Sequence, residues 1–165
     1  GNNHFDYKVS QTETYDSTDP DAALQTVIST VRTAGNKVSG IAMSPTYADI
    51  LAGIVTSGGV REYPEYRFGG NPDTFHGMAQ DVNSTVSQAL SGATAVDYAI
   101  VGDFADRFRW GFSKDIELEV IEYGNPDNDA SAGDLKGHNQ VYLRCEAYIG
   151  WGIIDASAFA IIKSA

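Results

Sequence analysis

Residues 19–54 read DPDAALQTVISTVRTAGNKVSGIAMSPTYADILAGI, and this stretch decides the fold. Asp19-Pro20 joins an N-cap acceptor to a residue whose φ is already helical, after which Leu24, Val27, Ile28 and Val31 recur at i, i+3, i+4 and i+7 up to Gly35. That spacing predicts one amphipathic helix. Val38 to Met43 predicts a short buried strand. Ser44-Pro45 restarts a helix whose apolar face is Tyr47, Ile50, Leu51 and Ile54, expected to run to Gly58-Gly59. Helix, strand, helix predicts a sheet packed by two helices.

Upstream, residues 1–18 are polar except Phe5, Tyr7, Val9 and Tyr15. They predict a loosely attached arm, with one short strand on the 5, 7, 9 alternation. Downstream, residues 57–74 (SGGVREYPEYRFGGNPDT) follow no regular period and predict a long loop, of the kind that usually has a job. Met78 to Val82 predicts a strand, Asn83 to Thr94 a second loop, and Val96 to Phe104 (VDYAIVGDF) a strongly apolar strand. Ile116, Leu118 and Val120 alternate with Glu117 and Glu119, and Val141, Leu143, Cys145, Ala147 and Ile149 with more polar neighbours. Each predicts a strand with one buried face. Residues 123–139 (YGNPDNDASAGDLKGHN) are the expected hairpin connection between them. Ala158 to Lys163 closes the chain as a short strand. The fold class expected is α+β, with a mixed, mainly antiparallel sheet and two main helices.

The length of 165 residues and an apolar share of 42% fit one compact domain and exclude a disordered chain. With 22 acids against 11 bases the formal charge is −11, which argues against a phosphate-binding face and specific nucleic-acid partners. The lone cysteine, Cys145, has no internal disulfide partner, and no apolar run approaches the ~20 residues of a membrane helix. A soluble, reducing compartment and no membrane partner are expected.

Chemistry-bearing patterns are sparse. His4, His76 and His138 lack a second ligand at metal-site spacing. Asp127, Asp129 and Ser131 imitate a calcium loop, but Ala132 and His138 stand where glycine and a bidentate glutamate belong. No serine sits in a nucleophile elbow, and Gly58-Gly59 and Gly69-Gly70 lack the lysine of a phosphate loop. Glu117, Glu119 and Glu122 read as a solvated strand face rather than an acid/base pair. No enzyme activity, cofactor or metal is expected.

Four stretches in order carry a family resemblance: the helix from Asp21 leading to Ile41-Ala42-Met43-Ser44-Pro45, with Tyr47 and Leu51 following; His76-Gly77-Met78; Ala99-Ile100-Val101-Gly102-Asp103-Phe104; and Asn139 to Lys163, ending in Ala158-Phe159. The chain resembles the C-terminal half of tailed-bacteriophage major capsid proteins, the HK-ninety-seven-like fold. The resemblance implies a polar arm at 1–18, an axial-type domain at 19–155, and at 156–165 the closing strand of the peripheral-type domain. It implies a structural subunit of a phage or prophage head, made in the bacterial cytoplasm and residing in the virion. Its partners would be copies of itself in pentamers and hexamers, with scaffold, portal or decoration proteins. A bacterial nanocompartment shell protein is the alternative with the same fold. A small α+β hydrolase or ligand-binding domain is the alternative from another class, marked by a deep pocket with convergent polar groups.

Two sets of site residues follow. Arg61, Glu62, Tyr63, Glu65, Tyr66 and Arg67 are the expected exposed contact around a capsomer ring, and by residue type they equally suit an ordinary surface loop. Some members of the resembled family join a lysine to an asparagine of another subunit with help from a glutamate, and the resemblance places Asn139 and Glu146 on those positions. By residue type alone, they also read as a turn former and a polar strand residue.

Overall fold

The computed structural model describes residues 4–87, 96–114, 116–125, 128 and 134–164. Among these, the helices are α1 (Phe5–Lys8), α2 (Pro20–Thr33) and α3 (Pro45–Gly53). The strands are β1 (Thr12–Thr14), β2 (Gly40–Met43), β3 (Thr74–Phe75), β4 (Met78–Val82), β5 (Asp97–Gly102), β6 (Phe108–Phe112), β7 (Glu117–Ile121), β8 (Tyr142–Glu146), β9 (Ile149–Ile153) and β10 (Phe159–Lys163). Six of them form one sheet in the order β1-β10-β5-β2-β4-β3. The β10–β5, β5–β2 and β4–β3 pairs are antiparallel, and β1–β10 and β2–β4 are parallel. The described residues up to Arg109 and from Ile153 make one compact unit, and those from Trp110 to Gly152 make another.

In the larger unit α2 buries Leu24, Val27 and Val31 of the predicted row, with Ile28 partly buried and Ala23 buried beside them. Asp19 occupies the N-cap, but its side chain makes no capping bond, and the turn closes through Ala22 N–H donating to the Asp19 carbonyl at 3.2 Å. At α3 the cap is made: Ser44 Oγ accepts from Tyr47 N–H at 3.2 Å behind Pro45 at the first helical position. Both helices share a core with Ile41, Met43, Ala99, Val101, Ala160 and Ile162, the alternate residues of β2, β5 and β10. The opposite sheet face carries Val9, Phe159 and Ile161 beneath Phe5, Phe104 and Phe108.

Several expectations need correction here. Residues 5–8 are a helical turn rather than a strand, because one turn brings Phe5 within 5.2 Å of the Phe159 ring, with Val9 only 2% exposed. The arm is therefore held: β1 pairs with β10, and Tyr15 N–H donates to the Lys163 carbonyl at 2.8 Å. The last strand does not belong to a separate unit. β10 lies inside the sheet between β1 and β5, and Phe159 to Ile162 are buried on both faces, as an interior strand requires. Helix α3 stops at Gly53, short of Gly58-Gly59, because Ile54 is extended and the chain turns back through a Val55–Arg61 bridge.

The Gly-Asp-Phe step at the end of β5 has a physical role in each residue. A Cβ on Gly102 would drive into the Ala158 carbonyl and the Phe159 ring. Asp103 is 4% exposed and accepts from Asp106 N–H at 3.1 Å, closing the turn that follows. Phe104 packs edge-on to Phe159 at 5.2 Å.

In the smaller unit β7 and β8 pair antiparallel, Leu118 beside Cys145 and Val120 beside Leu143, which is the hairpin pairing the sequence predicts. The expected buried face is absent: Leu118, Val120 and Leu143 are 66%, 54% and 61% exposed. A two-stranded ribbon has no second layer of its own to cover its apolar side. β6 and β9, paired with each other, were not read from the sequence as separate strands. The imitation calcium loop at Asp127, Asp129, Ser131 and Ala132, and residues 88–94 of the second expected loop, lie outside the described residues.

Candidate subunit interface

The segment after α3 turns at Thr56–Gly59 and then forms a 3₁₀ segment at Pro64–Gly69. Its six expected contact residues separate into three roles. Arg61 folds back, its guanidinium donating to the carbonyls of Ala52 and Gly53 at 3.1 and 2.8 Å, which satisfies the open end of α3. Tyr63 and Tyr66 are buried, at 9% and 1% exposure, which corrects the expectation of exposed tyrosines. One 3₁₀ turn places residues i and i+3 on one side, and both rings meet Phe75 at 5.6 and 6.1 Å. Burial raises the pKa of both hydroxyls above the ordinary 10.0; the nearby Asp21 carboxylate adds to this at Tyr63, and the Glu65 charge adds to it at Tyr66. The Tyr66 hydroxyl donates to Gln80 Oε1, and Gln80 donates to the Pro72 carbonyl, which ties the segment to β4. Glu62, Glu65 and Arg67 remain exposed.

An exposed aromatic of the segment was missed. Phe68 stands at 95% exposure with φ of 59°, and the Arg67 guanidinium lies 4.6 Å from its ring centroid. Two glycines after an aromatic were the available signal, since Gly69 takes φ of 77° to complete the turn.

On the smaller unit, one face of the β7–β8 ribbon presents Leu118, Val120, Leu143 and Cys145, and the other Glu117, Glu119, Arg144 and Glu146. Arg144 reaches Glu119 at 3.8 Å and pairs with Glu146, while Lys114 meets Glu117 at 2.8 Å. Glu146 is thus in a charged row and not an apolar setting. Asn139 lies before β8, in a left-handed conformation (φ of 53°) that caps a short 3₁₀ turn. Both positions match their plain reading as turn former and strand-face residue.

Open grooves mark the described residues of the larger unit. One of about 530 Å³ is lined by Asp21, Glu62, Tyr63 and His76 among others. Another of about 520 Å³ lies over β2 and β4. The exposed Phe68 ring and the exposed apolar face of the ribbon are among the apolar surfaces that the described residues leave open. The model of the phage capsid family matches residues 5–164, and the chain belongs to that family. Among solved structures it is similar to a chain of Mycobacterium phage Ogopogo, with a TM-score of 0.78 and 29% identity over 95% of this chain and 54% of that one. It is likewise similar to a chain of Gordonia phage Cozz, with a TM-score of 0.75 and 29% identity over 98% of this chain and 51% of that one. A capsid of an empty GTA particle shares the fold at 12% identity and a TM-score of 0.65, over 93% of this chain and 49% of that one. The chain spans about half the length of the structures it matches. No curated protein matches it.

Proposed function

We propose that this chain is the part of a phage or prophage major capsid subunit that lies around the capsomer axes, working in a multi-copy icosahedral shell as a structural protein without enzymatic activity. The observation that carries this reading is the family match across residues 5–164, joined to apolar surface left open on the β7–β8 ribbon. Copies of the same subunit in pentamers and hexamers are the principal partners, with scaffold, portal or decoration proteins as further ones. The protein would be made in the bacterial cytoplasm and reside in the virion. Exposed Glu62, Glu65 and Arg67 would lie in the contacts around the ring, while Arg61, Tyr63 and Tyr66 support the segment that presents them. The nanocompartment and hydrolase alternatives are not favoured by the family match.

The test is expression of the complete gene product that contains this chain, followed by sedimentation and electron microscopy. Closed shells of uniform size are expected. A product that stays monomeric or dimeric across the concentrations at which coat proteins assemble would overturn the reading.

A further inference from the structure

Phe68 is projected by its backbone. A bulky residue rarely takes positive φ, yet Phe68 does so inside the 3₁₀ segment, and Gly70 N–H closes the turn by donating to the Arg67 carbonyl at 3.1 Å. The result is a nearly fully exposed ring with a guanidinium lying against it. On the sheet face opposite α2 and α3, the parallel β2–β4 pair sets Gly40 beside Ala79 and Ala42 beside Asp81. Three small residues there leave the groove of about 520 Å³, walled by Phe104, with the exposed Asp81 among its lining residues. Its volume admits an aromatic ring, and its carboxylate is opposite in sign to Arg67.

We propose that the Phe68 ring of one copy seats in the β2–β4 groove of the next copy, with Arg67 facing Asp81. Knob and groove are different surfaces of one chain, so the contact is head-to-tail, the kind that closes a ring when the rotation between copies divides a full turn. An aromatic anchor entering a pocket beside an arginine pair is the composition that concentrates binding energy at interfaces. The proposal rests on the shell-subunit reading and deepens it by naming both halves of one contact.

The experiment uses the chain with Cys145→Ser, carrying Phe68→Cys in a size-tagged copy and either Ala79→Cys or Ser29→Cys in an untagged copy. Ser29 lies on the exposed side of α2 and serves as the control. The two copies are mixed at millimolar concentration with a short bismaleimide. Tagged–untagged cross-links at Ala79→Cys are expected to exceed those at Ser29→Cys several-fold. A second measurement keeps Phe68 in place by pairing Arg67→Cys with Ala79→Cys, and the same excess is expected. In the first pairing, Asp81→Lys or Arg67→Glu alone should lower the yield about two- to fivefold, and the two together should restore it. Equal yields at Ala79 and Ser29 in both pairings, or no recovery in the double reversal, would overturn the contact. Shells from the complete gene product alongside that failure would leave the capsid reading standing. No shells from it would remove the capsid reading, whatever the cross-links show.

Discussion

Three tyrosines of the core, Tyr47, Tyr63 and Tyr66, bring hydroxyls into a setting where the charged form is disfavoured. Burial is the first cause at each, and it raises their pKa values above the ordinary 10.0. A folded-state pKa above the unfolded one means that the folded chain holds the proton more tightly. The associated stability is complete below the unfolded value and is lost as pH rises through the folded ones. The melting temperature should therefore show no tyrosine-linked loss from neutral pH up to about 10 and fall beyond it, measured by circular dichroism. Tyr63→Phe, with one ionisable group fewer, should fall less steeply above that point. Equal slopes for the two proteins would show that the buried hydroxyls do not govern alkaline unfolding. The periodicity of residues 19–54 placed Tyr47 in a core. It could not place Tyr63 and Tyr66, because two residues one 3₁₀ turn apart make no pattern that a loop does not also make.

At the scale of elements, the legible parts were those whose ends carry their own chemistry. Helix α2 was read from Pro20 and a four-member apolar row, and α3 from Ser44-Pro45, whose cap is present. The end of α3 was not legible, since the group that satisfies its last carbonyls, Arg61, comes from beyond the turn. Arg61→Glu removes those donors and places negative charge at the negative end of the helix, at a cost of about 1 kcal/mol. For a chain of this size that should lower the melting temperature by about 2 to 4 °C. Arg67→Glu, whose guanidinium touches only the exposed Phe68 ring among the interactions described, should shift it by under about 1 °C. Equal shifts would mean that Arg61 is not a cap. Of the two changes, only Arg67→Glu therefore suits an assembly test, because it leaves the end of α3 capped. The β7–β8 ribbon was legible as two alternating strands joined by a hairpin, yet not as an exposed one. Alternation shows that a strand has two faces and says nothing about what covers the apolar one.

For the whole molecule, that uncovered face makes stability and association separable. Leu118 and Leu143 are more than half exposed, so replacing them removes little buried area from the folded chain. If a partner surface covers them in an assembly, the same replacements remove apolar area from that interface. Stable interfaces usually bury ~1,200–2,000 Å² in total, and the chain spans about half the length of the structures it matches. The isolated 165-residue chain is therefore expected to be monomeric or weakly associated at micromolar concentration, with the ribbon face binding an apolar dye. Leu118→Ser with Leu143→Ser should cut dye binding and any concentration-dependent association. The same pair should change unfolding free energy by less than about 1 kcal/mol, whereas truncating a buried leucine costs about 2–5 kcal/mol. Sedimentation and denaturant melts of the two proteins decide the matter. A loss of several kcal/mol would mean that the ribbon packs within its own chain, and closed shells from the isolated chain would mean that these 165 residues suffice for assembly.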